Sequence, residues 1–123
     1  MTEEKINEYM KMLNNLEISI EMLISCIANL EPLISKAAYK MKQYQNSYMN
    51  QYNKYFEDDP NSYKNRFKTY ISYRNVILKI LNNPPLEEIR EIIKGYKKSD
   101  IVSNLMRDQI LELIRSEDFV LVE

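Results

Sequence analysis

Between Thr2 and Leu30 the apolar side chains recur with a period of seven: Ile6, Leu13, Ile20 and Ile27 form one row, and Tyr9, Leu16, Leu23 and Leu30 follow three residues behind each. Two apolar positions per heptad are what a helix buries against a neighbour. The spacing therefore predicts a helix over 2–30, about 40 Å long at a rise of ~1.5 Å per residue. Thr2 is placed to cap it, and Glu3 and Glu4 suit the positive end of its dipole.

Pro32 interrupts this pattern, since proline inside a helix costs about 3 kcal/mol and pushes the preceding residue out of helical dihedrals. Yet the seven-residue row continues in phase through Ile34, Met41, Tyr48 and Tyr55. Two readings are open: a helical hairpin turning near 29–32, or one kinked helix running on. We expect the hairpin, because a small domain cannot easily cover so long a rod.

The second segment runs from Pro32 to Phe56 and ends in the turn-forming, capping cluster Glu57-Asp58-Asp59-Pro60-Asn61. A third, Pro60 to Leu81, places Tyr63, Phe67, Tyr70, Ile77 and Leu81 at helical spacing and is stopped by Asn82-Asn83-Pro84-Pro85. A short fourth helix is expected over 85–94, with Pro85 near its first position and Gly95 just past its end. A fifth is expected to start after Ser99, with Val102, Leu105, Met106, Gln109, Leu113 and Ile114 as its stripe. The apolar, β-branched tail over 118–123 is expected either to dock as an extended strand or to hang free. The fold expected is all-α: one domain over 1–123, an antiparallel bundle of four to five helices with a short extended C-terminal tail.

Composition supports this fold. The 123 residues include one glycine and four prolines, too few for the turns of an all-β chain, while 45% are hydrophobic and 28% charged, as in a globular domain. No run of 18 apolar residues is present to span a bilayer, and the polar, acidic start does not look like a secretory signal. The expected location is the cytoplasm of a host cell, or a virion.

Catalytic chemistry finds little to work with. There is no histidine, so the commonest general base and metal ligand is missing. There is no glycine-rich loop to cradle a phosphate. Cys26, between Ser25 and Ile27, reads as a small buried hydrophobe rather than a nucleophile. The carboxylate pairs fall at expected helix starts, where capping explains them; Glu57, Asp58 and Asp59 are too few for an oxygen-ligand cage. A helix-turn-helix centred on Gly95 would put Arg90, Glu91 and Lys94 where small or apolar residues are needed. We expect no enzyme, no cofactor and no metal, and assign no residue to any of these.

Charge does change the picture, because it is segregated. Residues 1–31 carry a net of −4 and residues 84–123 a net of −3, while residues 32–83 hold nine bases against three acids, a net of +6. That basic middle also holds eight of the ten tyrosines: Tyr39, Tyr44, Tyr48, Tyr52, Tyr55, Tyr63, Tyr70 and Tyr73. Cations interleaved with aromatic rings suit a nucleic-acid groove, and Tyr and Arg also anchor protein interfaces. The plain structural alternative is that the rings are core and the cations pair with the acidic first segment. The candidate surface comprises Lys36, Lys40, Lys54, Lys64, Arg66, Lys68, Arg74, Tyr63 and Tyr73.

The heptads from Ile6 to Leu30, the tyrosine series Tyr44 to Tyr55, the absence of histidine and the near-absence of glycine resemble the small four-helix proteins of crenarchaeal viruses, which infect hot, acidic habitats' archaea. That group includes a virion protein and an inhibitor of the host RNA polymerase. The resemblance lies in composition and size and carries no motif, so no functional residue is transferred from it.

These readings converge on a non-enzymatic macromolecular-interaction protein, viral or encoded by a mobile element, that binds a host protein machine, for example by occluding a polymerase or nuclease channel. Alternatives are a nucleic-acid-binding protein using the basic, tyrosine-rich middle, and a virion or other self-assembling subunit. The expected partner is a protein; nucleic acid or a second copy of the chain is the alternative, and no membrane is implied.

Overall fold

The structure, a computed structural model, describes residues 3, 4, 7, 11, 17–45, 62–116 and 120–122. It is an all-α helical bundle. Among the described residues the order is β1 (Glu17–Ser19), α1 (Ile20–Gln45), α2 (Tyr63–Ile80), α3 (Leu86–Lys94), a 3-10 turn at Lys98–Asp100, α4 (Asn104–Arg115) and β2 (Val120–Val122).

The single helix expected over 2–30 is divided. Glu3, Glu4, Asn7 and Lys11 have helical backbone, but Glu17–Ser19 is extended and a new helix starts at Ile20. The cause is local. Ser19 Oγ accepts the backbone N–H of Met22 at 3.1 Å and Glu21 lies in the first turn, so Ser19 acts as a helix cap. Of the heptad rows, Leu23, Ile27 and Leu30 are buried and Ile20 half-buried, while Ile6, Tyr9, Leu13 and Leu16 lie outside the described residues.

The hairpin expected near Pro32 does not form: α1 runs through Pro32 as one helix of 26 residues. Proline denies the Ala28 carbonyl its hydrogen bond, at a cost of about 3 kcal/mol. Buried side chains lie on both sides of it, Ile27 and Leu30 before, Ile34 and Ala37 after. Each large one contributes about 1.5–3 kcal/mol, so keeping both halves on one axis outweighs the lost bond. Pro32 itself is exposed. Replacing it with Ala is expected to raise stability by about 1–2 kcal/mol, read as a higher melting temperature. An unchanged or lower melting temperature would mean that the proline shapes the packing instead of merely being tolerated.

Every residue from Met22 to Ala28 is buried. A helix buried all round is central, not peripheral, and α2, α3, α4 and β1 all pack against α1. The core gathers Leu23, Ile27 and Leu30 of α1 with Ile77 of α2, Ile89 of α3, and Met106, Ile110 and Ile114 of α4.

Each flanking helix has identifiable ends. Ser62 Oγ accepts the N–H of Asn65 at 3.2 Å and starts α2, one residue past the acidic cluster expected to cap it. After α2, Asn82 and Asn83 adopt φ of 72° and 54°, and Asn83 N–H reaches back to the Leu78 carbonyl at 2.8 Å. This is a left-handed helix stop built from asparagine, the residue that best tolerates that region after glycine. Pro85 and Gly95 bound α3 as expected, although Gly95 has ordinary right-handed dihedrals. The last helix starts after Ser103, whose Oγ accepts the Met106 N–H at 3.2 Å, and not after Ser99. Its buried stripe is Met106, Arg107, Ile110, Leu111 and Ile114, while Leu105, expected inside, is 68% exposed.

The tail docks. Val120–Val122 pairs in parallel with Glu17–Ser19, in the register Glu17 to Val120, Ile18 to Leu121 and Ser19 to Val122. Ile18, on the inward side of β1, is fully buried. Because Asn104 bonds to Asn29 and β2 pairs beside the start of α1, α4 runs back along α1 toward its N-terminus. Among the described residues no helix is long and apolar enough to cross a membrane.

Candidate macromolecule-binding face

The basic, aromatic middle is divided by the fold into side chains used internally and side chains left on the surface. Arg74 of α2 donates from Nη1 to Glu31 Oε1 at 3.1 Å, and Arg90 of α3 donates from Nη2 to Glu31 Oε2 at 3.5 Å. One carboxylate on α1 thus ties together three helices. Arg74 is mostly buried, with 14% of its side chain exposed, and its Nε has no partner. It is a bundle cation, as the pairing of bases with the acidic first segment anticipates.

The tyrosines of α2 are similarly occupied. Arg66 lies over the Tyr63 ring at 5.1 Å, Arg107 over Tyr70 at 5.6 Å and Arg115 over Tyr73 at 4.8 Å. Tyr70 and Tyr73 also pack against the core. A guanidinium over each ring already occupies a face on which a base would stack.

The remaining candidates separate as follows. Lys36 is exposed and Lys40 half-buried, both on the second half of α1; Lys64 is half-buried on α2; Lys68 is exposed on α2. Lys54, with Tyr48, Tyr52 and Tyr55, lies outside the described residues, as do Glu57, Asp58 and Asp59. Among the described residues, then, the other eight candidates divide between the bundle interior, where Arg74 and Tyr73 are used, and the surface, where Lys36 and Lys68 are exposed.

The structure does form an open groove along α2, lined by Phe67, Lys68, Ile71, Ser72, Asn75, Val76 and Lys79. These positions make two neighbouring rows, Phe67-Ile71-Asn75-Lys79 and Lys68-Ser72-Val76, because residues four apart stack on one helix face. Phe67 and Ile71 are half-buried against the core along one flank; Val76, half a turn round the helix from Phe67, is 41% exposed. Lys68 and Lys79 are exposed, and no acid occurs between residues 61 and 83. Sequence reading by charge noticed Lys68 but not Ile71, Ser72, Asn75 or Val76; their four-residue spacing was the available signal.

A second polar feature is internal. Ser25, buried in the otherwise apolar run of α1, donates to the Asp100 carbonyl at 2.7 Å and accepts the Val102 N–H at 2.9 Å. One turn later, Asn29 donates to the Val102 carbonyl at 2.8 Å. The two side chains hold the backbone of 100–102, where it leaves the 3-10 turn and becomes extended at Ile101, much as a neighbouring strand would. Arg107, 6% exposed, completes the cluster by donating from Nη1 to Asn29 Oδ1 at 2.9 Å and to Asn104 Oδ1 at 3.1 Å, and from Nε and Nη2 to Asp108 Oδ1 at 3.0 and 2.9 Å. Nine residues separate α3 from α4, so this pair is not joined by the short turn of a helix-turn-helix.

Cys26, beside this cluster, is fully buried, and burial pushes its thiol up to about 12 against a smaller lowering by Arg107. A thiol so disfavoured as thiolate is a packing residue. Among the described residues no group of three acidic or thiol side chains converges to hold a metal ion. Family models, curated proteins and solved structures were each compared with the chain, and none matches.

Proposed function

We propose that this chain is a non-enzymatic interaction protein that docks the groove face of α2 onto a protein partner and acts by occupying that partner's surface. The observation that supports this reading is the make-up of the face: exposed Lys68 and Lys79 at its middle, Phe67 and Ile71 along one flank and exposed Val76 on the other, with no acid between residues 61 and 83. Such a face sets cations beside apolar side chains, so a partner could pair with the one and desolvate the other. Occlusion of a channel in a host machine by a viral or mobile-element protein is the role this reading favours, in keeping with the compositional resemblance. Direct nucleic-acid binding is less well supported, because the α2 rings are covered by the chain's own arginines.

The test is site-specific photo-cross-linking in the cells that make the protein. A benzophenone side chain in place of Lys68 is expected to capture a protein adduct that survives nuclease treatment, and one in place of the exposed Lys97 is not. An adduct abolished by nuclease, or none at position 68, defeats the proposal.

A further inference from the structure

We infer that the second half of α1 carries a site for single-stranded nucleic acid, with a base stacked on Tyr39 and the neighbouring phosphates held by Lys36, Lys40 and Lys42. The inference goes beyond the docking of α2, does not rest on it, and concerns another face of the bundle. Tyr63, Tyr70 and Tyr73 of α2 each have a guanidinium over the ring. Tyr39 has none among the described residues. It is 62% exposed, on the side of α1 turned away from buried Ile34 and Ala37. Its hydroxyl accepts a hydrogen bond from Gln43 Nε2 at 3.1 Å, one turn on, which restrains the ring before any ligand arrives.

Lys36 and Lys42 are exposed and stand three residues to either side of Tyr39, so both are its neighbours on the helix surface. At about 3.6 residues per turn they lie about 60° round the helix on opposite sides of the ring, and about 9 Å from each other along the axis. A strand crossing α1 obliquely thus meets a cation, a ring and a second cation in turn, matching the phosphate, base and phosphate of one nucleotide. Half-buried Lys40 follows directly after Tyr39 and adds a third cation. Among the described residues none of the three lysines has an ion-pair partner. No acid occurs from residue 32 to residue 56, and Glu31, just before, is held by Arg74 and Arg90.

The surroundings of the ring decide against other anionic partners. Its exposed neighbours on this face are Ser35, Lys36, Lys42 and Gln43, all polar. A protein hot spot sits in a packed, desolvated pocket, and a membrane-surface helix needs an apolar face to insert. A ring bordered by ammonium, hydroxyl and amide groups offers neither. Stacking a base requires only the ring itself.

The experiment uses the full chain and a fluorescein-labelled oligothymidylate of about twelve nucleotides, read by anisotropy. Micromolar binding is expected, and with three phosphates neutralised it should weaken roughly 20-fold between about 50 and 200 mM salt. An abasic strand of the same length, with the same phosphates and no bases, is expected to bind at least about fivefold more weakly. Tyr39→Ala, altered at an exposed position and checked for native helicity, should lose at least about fivefold toward oligothymidylate and no longer tell the two strands apart, whereas Tyr39→Phe, which keeps the ring, should stay within about twofold. Lys36→Gln/Lys42→Gln is expected to flatten the salt dependence, and Lys68→Gln/Lys79→Gln on α2 to leave binding within about twofold. Absence of binding, equal affinity for the abasic strand, or unchanged affinity in Tyr39→Ala overturns the inference. So does a polyglutamate peptide of equal charge that binds as well as the oligonucleotide, which would make this an acidic-protein face. Loss of binding in the α2 variant rather than the α1 variant overturns it too. Cross-linking at position 68 is read separately: oligonucleotide binding can fail while docking stands, and the reverse.

Discussion

Leu23→Ala is expected to lower the unfolding free energy by about 3–4 kcal/mol, measured by urea denaturation followed by circular dichroism. Leu23 is fully buried within the run of α1 that is enclosed on every side. Removing three methylene-sized groups there forfeits their transfer free energy and leaves a cavity that α2, α3 and α4 cannot all close, because each packs on a different side of the same helix. A domain of this size is stable by about 5–15 kcal/mol, so the loss is a large part of the total. Leu105→Ala supplies the contrast. Leu105 is 68% exposed at the start of α4, and its truncation is expected to change stability by less than about 0.5 kcal/mol. Comparable losses at the two leucines would show that α1 is not the central helix.

Arg107→Met is expected to cost about 2–4 kcal/mol. The methionine keeps much of the stem's volume but removes every donor. Asn29 Oδ1 and Asn104 Oδ1 then lose the guanidinium that holds them at 2.9 and 3.1 Å, and the Tyr70 ring loses its cation. Because Asn29 also holds the Val102 carbonyl, the loss reaches the docking of the segment that leads into α4. Asp108→Asn is the informative comparison. Its side chain is 59% exposed, so water replaces much of what Arg107 gives it, and its cost is expected to stay below about 1 kcal/mol. A negligible effect of Arg107→Met would mean that the buried cluster is decorative; an equal effect of both changes would place the value in the ion pair rather than in the amide contacts.

Much of the fold was legible because periodicity is a local property. The stripe Leu23, Ile27, Leu30, Ile34 marks α1 on either side of Pro32, and its unbroken phase was itself the clue that the helix continues. Pro85 and Gly95 bracketed α3 correctly. The heptad misled at residues 17–19, where the apolar row runs on but Ser19 caps a new helix and Ile18 turns into the core from a strand. Leu105 misled for a similar reason: an apolar residue at plausible spacing stays outside because the helix begins at Ser103 and rolls its face toward Met106, Ile110 and Ile114.

The candidate face was legible only in part. Counting lysines and tyrosines found the basic middle, but not which of its members the bundle uses. Arg74 is taken up by Glu31, forty-three residues away, and Tyr70 by Arg107, thirty-seven residues away. No local pattern encodes such pairings, since they depend on where whole helices come to rest.

By itself, then, the order of residues determined that the chain is helical, where α2 and α3 stop, and that its bases and acids are segregated, because backbone propensity, capping and net charge are settled within a few residues. Only the tertiary structure decided that α1 is the enclosed centre, that Glu17–Ser19 and Val120–Val122 pair as strands across more than a hundred residues, and that the outward face of α2 presents Lys68 and Lys79 while its tyrosines are taken up by arginines. Those outcomes rest on burial and on long-range charge and ring contacts, whose free energy exists only once distant segments have been brought together.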